Sequence, residues 1–410
     1  MPIYHTLGAI PRKRHIAFRK PESEGGGIYA EELMGHEGFT GTSSLLYHKY
    51  PPTTVKSVRR VKEMKLEEDK DVTLRHRHFL TSRVGSILKK GGSPTMDRIP
   101  LLFNQDVAML YVEPSVEDEH FYRNAQADEL VYVSKGKGVL ESVFGELPFG
   151  EGDYLVIHRG IMHRYRFDKT HDKDAEQPKL LIMESRGHIR WPKRYRNEFG
   201  QLVEGAPYSE RDIRRPVFVQ PHDEMGDFNI YVKQYDGINE LVLDHHPFDV
   251  VGWDGYFYPW AFNIMDFEPI VGRVHQPPPV HQTFQGDGFV VCSFCPRPYD
   301  FHPEAVPAPY NHSNVDSDEV LYYASSEFMS RKGIEFGSIT HHPDGLPHGP
   351  HPGRAEASIG AKYTDELAVM MDTFRPLKVA KQAIEIEDPS YHKSWISAQH
   401  EQIAFSPPTS

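Results

Sequence analysis

Apolar positions along this chain alternate with polar ones over short runs bounded by glycine and proline, a pattern that predicts strands joined by tight turns rather than helices. The stretch from His120, HFYRNAQADELVYVSKGKGVLESVFGELPFGEGDYLVIHRGIMHRYRF, reads as strand, Gly turn, strand, Gly turn, strand. Further strand candidates are TVKSVRRVKEM and DVTLRHRHFL, and strand character returns near residue 250 with FDVVGWDGYFYPWAFNI. The intervening WPKRYRNEFGQLVEGAPYSERDIRRP is rich in charge and turn residues and is expected to form a long surface crossover. After Pro389 the tail is polar and should wrap a neighbouring element or fray. With 410 residues, 39% of them hydrophobic, there is material for two cores, and a boundary near residue 250 gives domains 1–250 and 251–410. The expected fold is dominated by β-structure, with few short helices.

The two halves echo one another. YRNAQADELVYV and HSNVDSDEVLYY align without a gap, pairing Tyr122 with His312 and Glu129 with Glu319. Later, HRGIMH and PDGLPH share the spacing x-x-G-x-x-H, pairing Gly160 with Gly345 and His163 with His348. This diverged duplication is similar to the paired motifs of the cupins, H-x-H-x(3,4)-E with a trailing Gly and then P-x-G-x-x-H. The second copy keeps His312, Glu319 and the turn from Pro343 to His348, with Asn314 and Ser326 at the other two positions. The first copy keeps Glu129, Gly136 and His163 but has Tyr122 and Asn124 where histidines would stand. The second copy is thus the one equipped to hold a metal, and the fold class implied is a bicupin, two jelly-roll sandwiches of the double-stranded β-helix type.

Composition narrows the chemistry. A formal charge of −12, with acids spread along the chain, excludes the basic stripe of a nucleic-acid binder. No glycine-rich nucleotide fingerprint occurs. The start has no apolar core of signal-peptide length and no run is long enough to span a membrane, so a soluble, cytoplasmic protein is expected. The only two cysteines, Cys292 and Cys295, sit in the strand-like FVVCSFCPRP and are expected to be structural; they are too few for an iron–sulfur cluster. Histidine is in excess, 24 residues, concentrated between His275 and His351. His76 and His78 form an H-x-H without a carboxylate at the right spacing, and strand alternation accounts for them.

A curled sheet brings His312, Glu319 and His348 to one point, because alternate side chains of a small barrel face inward. Two imidazoles and a carboxylate on one face of an octahedral metal leave three positions open, the facial triad of non-haem Fe(II) oxygenases. A dihydroxybenzene and O2 can then meet on a single ion. Asp318 is an alternative carboxylate, although Glu319 is the one that aligns with Glu129.

At these residues the chain resembles the homogentisate 1,2-dioxygenase family. HPFDVVGWDGYFYPWAFNIMDFEPI, GRVHQPPPVHQTF, PAPYNHSNVDSDE and LPHGPHPG follow that family's order, and GAIPRKRHIAFRKPE and EELMGHEGFTGTSSLLYHKYPP are similar to its N-terminal signature, so the likeness covers nearly the whole chain. The resemblance implies Fe(II) held by His312, His348 and the carboxylate between them. In much of the family that Glu follows the first His by six positions, where this chain has Asp318. It implies that His275 hydrogen-bonds and deprotonates a ring hydroxyl, and that Tyr310 and His342, with His348, line the substrate and oxygen pocket. A further pocket tyrosine is replaced around Glu327 and Phe328. The implied reaction opens the ring of homogentisate with O2 to give maleylacetoacetate, in tyrosine and phenylalanine catabolism, by a homo-oligomer, trimer or hexamer. Rival readings are gentisate as the ring substrate, a divalent-metal cupin isomerase, and a non-catalytic bicupin.

Overall fold

The computed structural model describes residues 3–87, 92–168, 176–276, 278–325, 328 and 330–396; Ser326 and Glu327 fall outside this set. The chain is dominated by strands, and its one α-helix among the described residues is Arg354–Ser358. No helix among them is long and apolar enough to cross a membrane. The chain divides into two compact units, each built mainly of antiparallel sheet, and the fold is the two-domain cupin fold.

The first unit draws on residues up to Leu66, a short segment ending at Ile99, and Ala108–Asp266. At its heart is the strand Asp128–Lys135, flanked by Asp153–Ile157 and Lys179–Ser185. Leu130, Val131, Tyr132 and Val133 are all buried, so this strand is covered on both faces, which is why its sequence reads as an unbroken apolar run. Gly138–Ser142 pairs with both Gly145–Phe149 and Met162–Phe167, completing the strand–turn–strand order expected from the alternation. The second unit takes residues 67–87, 100–107 and everything described from Phe267 onward. Its six-stranded sheet runs Gln282–Gly286, Phe289–Phe294, Ala368–Thr373, Asp318–Tyr323, Ser338–His342, Arg77–Leu80.

The boundary therefore falls at residue 266 rather than 250, and two early segments join the second unit. The cause is pairing. Val250–Gly255 inserts between His5–Gly8 and Ser43–His48, and Trp260–Asn263 completes the sheet beside Asp153–Ile157. Conversely, the H-x-H segment places Arg77–Leu80 against Ser338–His342. The segment 191–216 also departs from a pure surface crossover. Trp191, Tyr195, Tyr208 and Ile213 are buried, with Trp191 edge-on to Tyr208 and to Trp260, so aromatic anchors fix it. Cys292 and Cys295 are buried and not joined in a disulfide, and the Cys295 Sγ–H donates to the Phe267 carbonyl at 3.2 Å.

One buried pair makes stability pH-dependent. His48 sits with Nδ1 2.7 Å from Asp249 and Nε2 3.1 Å from Glu32. Burial alone would lower its pKa, but the two carboxylates outweigh it and push it up to about 9. A folded-state value above the unfolded 6.5 means that the stabilisation is complete below pH 6.5 and lost as pH rises through 9. Urea unfolding should show a loss of about 3 kcal/mol across that window. In His48→Gln this slope should flatten; an unchanged slope would mean that another group carries it.

Candidate metal centre

His312 lies in the loop before Asp318–Tyr323, and His348 follows the turn Pro343–Asp344–Gly345. That turn needs a residue with φ near +78°, supplied by Gly345; its counterpart Gly160 has φ +88° at the matching turn of the first unit. The two histidines face each other across an isolated antiparallel bridge, each backbone N–H donating to the other's carbonyl at 2.8 and 2.9 Å. Their rings are consequently 4.3 Å apart.

Glu319 completes the group. Its carboxylate oxygens lie 3.5 Å from His312 Nε2 and 3.2 Å from His348 Nε2. Neighbouring residues of a strand point to opposite faces, so Asp318 is directed away. Asp318 accepts from His341 Nε2 at 2.9 Å and from the backbone N–H of Asp344 and Leu377, which leaves it tying together the turn that carries His348. Asp318→Asn is accordingly expected to keep the full metal complement while unfolding about 1–3 kcal/mol more easily, measured by metal analysis and denaturant titration. Loss of metal in this variant would transfer the ligand role to Asp318.

The donor set fits a divalent cation. His312 Nδ1–H donates to the Tyr310 carbonyl at 3.1 Å, so Nε2 carries the free lone pair. His348 Nε2, though close to Glu319, is out of line for a hydrogen bond and has no partner, as if the atoms converge on a common point rather than on each other. Burial would raise Glu319, but the imidazoles of His312, His342 and His348 around it hold its carboxyl well below the usual range. The same contact with Glu319 raises His312. Across the ladder from Glu319 stands Asp372, which burial and the Glu319 charge push up to about 8.

His342, expected to line the pocket, is fully buried behind the carboxylate instead. Its Nδ1–H donates to Glu319 at 2.8 Å, and its Nε2 faces the Tyr391 hydroxyl at 3.3 Å. It holds the acid in place. Three supports of this kind were not read from the sequence as part of the site: Tyr391, Trp395 and His76. His76 packs its ring against His342, His348 and Trp395, with its Nε2 3.2 Å from the Pro347 carbonyl. The tail beyond Pro389 thus wraps the back of the site through Trp395. His281 stacks on Phe294 and His351 accepts the Lys332 N–H, both structural roles.

In front of the cluster opens a cavity of about 320 Å³ whose wall includes His312 and Glu319, together with His275 and Tyr310. His275 is half exposed and edge-on to Tyr310, with ring centroids 5.2 Å apart. Leu321, Phe294, Phe328 and Met370 add apolar surface to the cavity lining. Neither His342 nor His348 lines this cavity.

The equivalent position in the first unit is filled differently. Arg98 grips Glu129 through two hydrogen bonds of 2.8 and 2.9 Å, Asn124 donates a third, and Tyr122 stands where a histidine would. A guanidinium has taken the place of the cation.

Comparison with known proteins agrees with this picture. A family model described as the N-terminal region of homogentisate 1,2-dioxygenase matches residues 102–264. A provisionally named dioxygenase of Saccharolobus solfataricus is 44% identical over 401 residues, covering 97% of this chain and 100% of that protein. The homogentisate 1,2-dioxygenase of Bradyrhizobium diazoefficiens is 24% identical over 285 residues, 66% of this chain and 61% of its own length. Among solved structures, a cupin 2 conserved barrel domain protein from Leptotrichia buccalis covers 76% of this chain and 100% of its own, with 11% identity and a TM-score of 0.31. With 44% identity to a dioxygenase relative along nearly its whole length and a family model matched over residues 102–264, this chain belongs to the homogentisate 1,2-dioxygenase family.

Proposed function

We propose that the chain is an Fe(II)-dependent dioxygenase that opens the aromatic ring of homogentisate, or a close hydroquinone relative, incorporating both atoms of O2. The observation that carries this reading is the convergence of His312, Glu319 and His348, two imidazoles with bare nitrogens and one acid, beside a single-ring-sized cavity whose wall includes His312 and Glu319. When bound, Fe(II) supplies adjacent open positions at which a ring hydroxyl and O2 are brought together.

The protein's own residues supply the rest. Leu321, Phe294, Phe328 and Met370 exclude water from the faces of the ring. His275, at the cavity wall, accepts the proton of the hydroxyl remote from the metal, a task suited to imidazole at neutral pH. His342, braced by Tyr391, keeps Glu319 oriented toward the ion. No nicotinamide or flavin is required, because an electron-rich ring provides the electrons.

The test is oxygen uptake by full-length protein loaded anaerobically with Fe(II), against homogentisate, gentisate, hydroquinone and catechol. Fastest uptake is expected with homogentisate. Retention of less than about a tenth of an equivalent of iron would favour a non-catalytic bicupin. Conversion of a substrate under argon would favour an isomerase.

A further inference from the structure

We propose that the first unit carries a second divalent-cation site, held by His36, His188 and Asp128 and separate from the one at His312, Glu319 and His348. Asp128 opens the central strand of that unit and is fully buried. Its Oδ2 is saturated, accepting from His158 Nδ1 at 2.9 Å and from the Ile189 N–H at 3.0 Å. Its Oδ1 accepts a single bond, from the Arg159 N–H at 2.8 Å, and so retains a lone pair. That oxygen faces His36 Nε2 at 4.0 Å and His188 Nδ1 at 3.8 Å, both too far for a hydrogen bond.

Both of those nitrogens are buried without a partner. The two rings are stacked, centroids 3.6 Å apart and 21° from parallel, so they present their edges to the same acid. His36 is only 9% exposed, and leaving its nitrogen unsatisfied there costs about 1–3 kcal/mol unless something fills the gap. Its Nδ1 faces Thr42 Oγ1 at 3.3 Å; a proton held there leaves Nε2 as the donor atom. Two metal–ligand bonds of about 2.0–2.1 Å span up to about 4 Å, so the 3.8 and 4.0 Å separations lie at the outer limit and the rings must draw slightly inward on a bound cation.

His158 is also within reach, but it is not free to ligate. The Trp260 indole N–H donates to its Nε2 at 3.4 Å, which places the imidazole proton on Nδ1, where it orients Asp128. The second unit supplies a control. Asp318, the duplicate of Asp128, likewise accepts two backbone N–H groups, from Asp344 and Leu377, and one histidine, His341. Among the described residues no stacked imidazole pair faces it, so the His36–His188 pair is what the first unit adds. Imidazole and carboxylate donors suit Zn(II), Fe(II) or Co(II).

The experiment uses the full chain with the other site disabled by Glu319→Gln, titrated with Co(II) and followed by visible absorption and by metal analysis after dialysis. About one equivalent of Co(II) is expected, with the ligand-field bands of nitrogen and oxygen coordination. Adding His188→Gln should weaken this binding by about thirtyfold or more. His188 is the safer position, being 22% exposed, and circular dichroism checks that the variant is folded. His36→Gln should act in the same direction. Absence of Co(II) uptake in the Glu319→Gln protein, or uptake unchanged by both His188→Gln and His36→Gln, would overturn the site. Neither result depends on whether the chain cleaves rings.

Discussion

His312→Ala is expected to lose iron on dialysis and to cut oxygen uptake with homogentisate by about a hundredfold or more. The ring of His312 is one of only three donors, and nothing nearby can replace it: Tyr310 offers the backbone carbonyl that His312 Nδ1 already uses, and Asp372 has no charge to lend while the Glu319 carboxylate stands beside it. Two donors hold a divalent ion far more weakly than three, so the effect appears first in metal content and then in rate. His312 is 31% exposed toward the cavity, and its removal leaves space for a small ligand. Added imidazole is therefore expected to restore part of both iron retention and uptake, an outcome that a merely misfolded variant would not show. Glu319→Gln should behave like His312→Ala in metal content, whereas His275→Gln should keep its iron and lose rate. A His312→Ala protein with normal uptake would remove these three residues from the reaction.

The contrast between Glu319 and Asp318 shows what a sequence can and cannot supply. Alignment of the two halves pairs Glu319 with Glu129 and His348 with His163, so the strand order and the cluster of His312, Glu319 and His348 were legible in one chain. Local spacing encodes them because His312 lies in the loop before the strand that carries Glu319, and His348 follows a tight turn after the next strand. The supports of the site are another matter. His76, Tyr391 and Trp395 come from segments more than forty residues away on either side of His348, and no local pattern connects them. The family resemblance implied a pocket position for His342, whereas strand pairing sets it opposite Glu319 and it does not line the cavity. The domain boundary was misplaced because FDVVGW has the right strand character for either unit, and only its partners His5–Gly8 and Ser43–His48 decide to which it belongs.

Arg98 is a still more remote case, and it leads to the largest expected loss of stability. Its guanidinium is buried, doubly hydrogen-bonded to Glu129, 3.3 Å from Glu184, and anchored through Nε to the Pro94 carbonyl at 2.8 Å. Lys233 balances Glu184 from the other side, so two cations face two carboxylates in the place where the sister unit gathers its metal ligands. Arg98→Ala leaves one negative charge buried and unpaired. The expected cost is about 3–5 kcal/mol by denaturant unfolding at pH 7, since a broken buried pair suffers the desolvation of the remaining ion without its attraction.

The pH dependence identifies the culprit. Burial would raise Glu129, but Arg98 beside it holds the carboxyl down to about 2, so in the native protein its contribution is present above the unfolded value near 4.5 and lost as pH falls toward 2. Without Arg98 the same carboxyl is raised, and protonation favours the folded variant. The gap between the native protein and Arg98→Ala should therefore narrow as pH falls, starting above 4.5 where the variant's carboxyl takes up its proton and continuing toward 2. Arg98→Met combined with Glu129→Gln removes both charges and should recover most of the loss. A single variant within about 1 kcal/mol of the native protein at pH 7, or a double variant no better than the single, would mean that the guanidinium is not what replaced the cation in this half of the duplication.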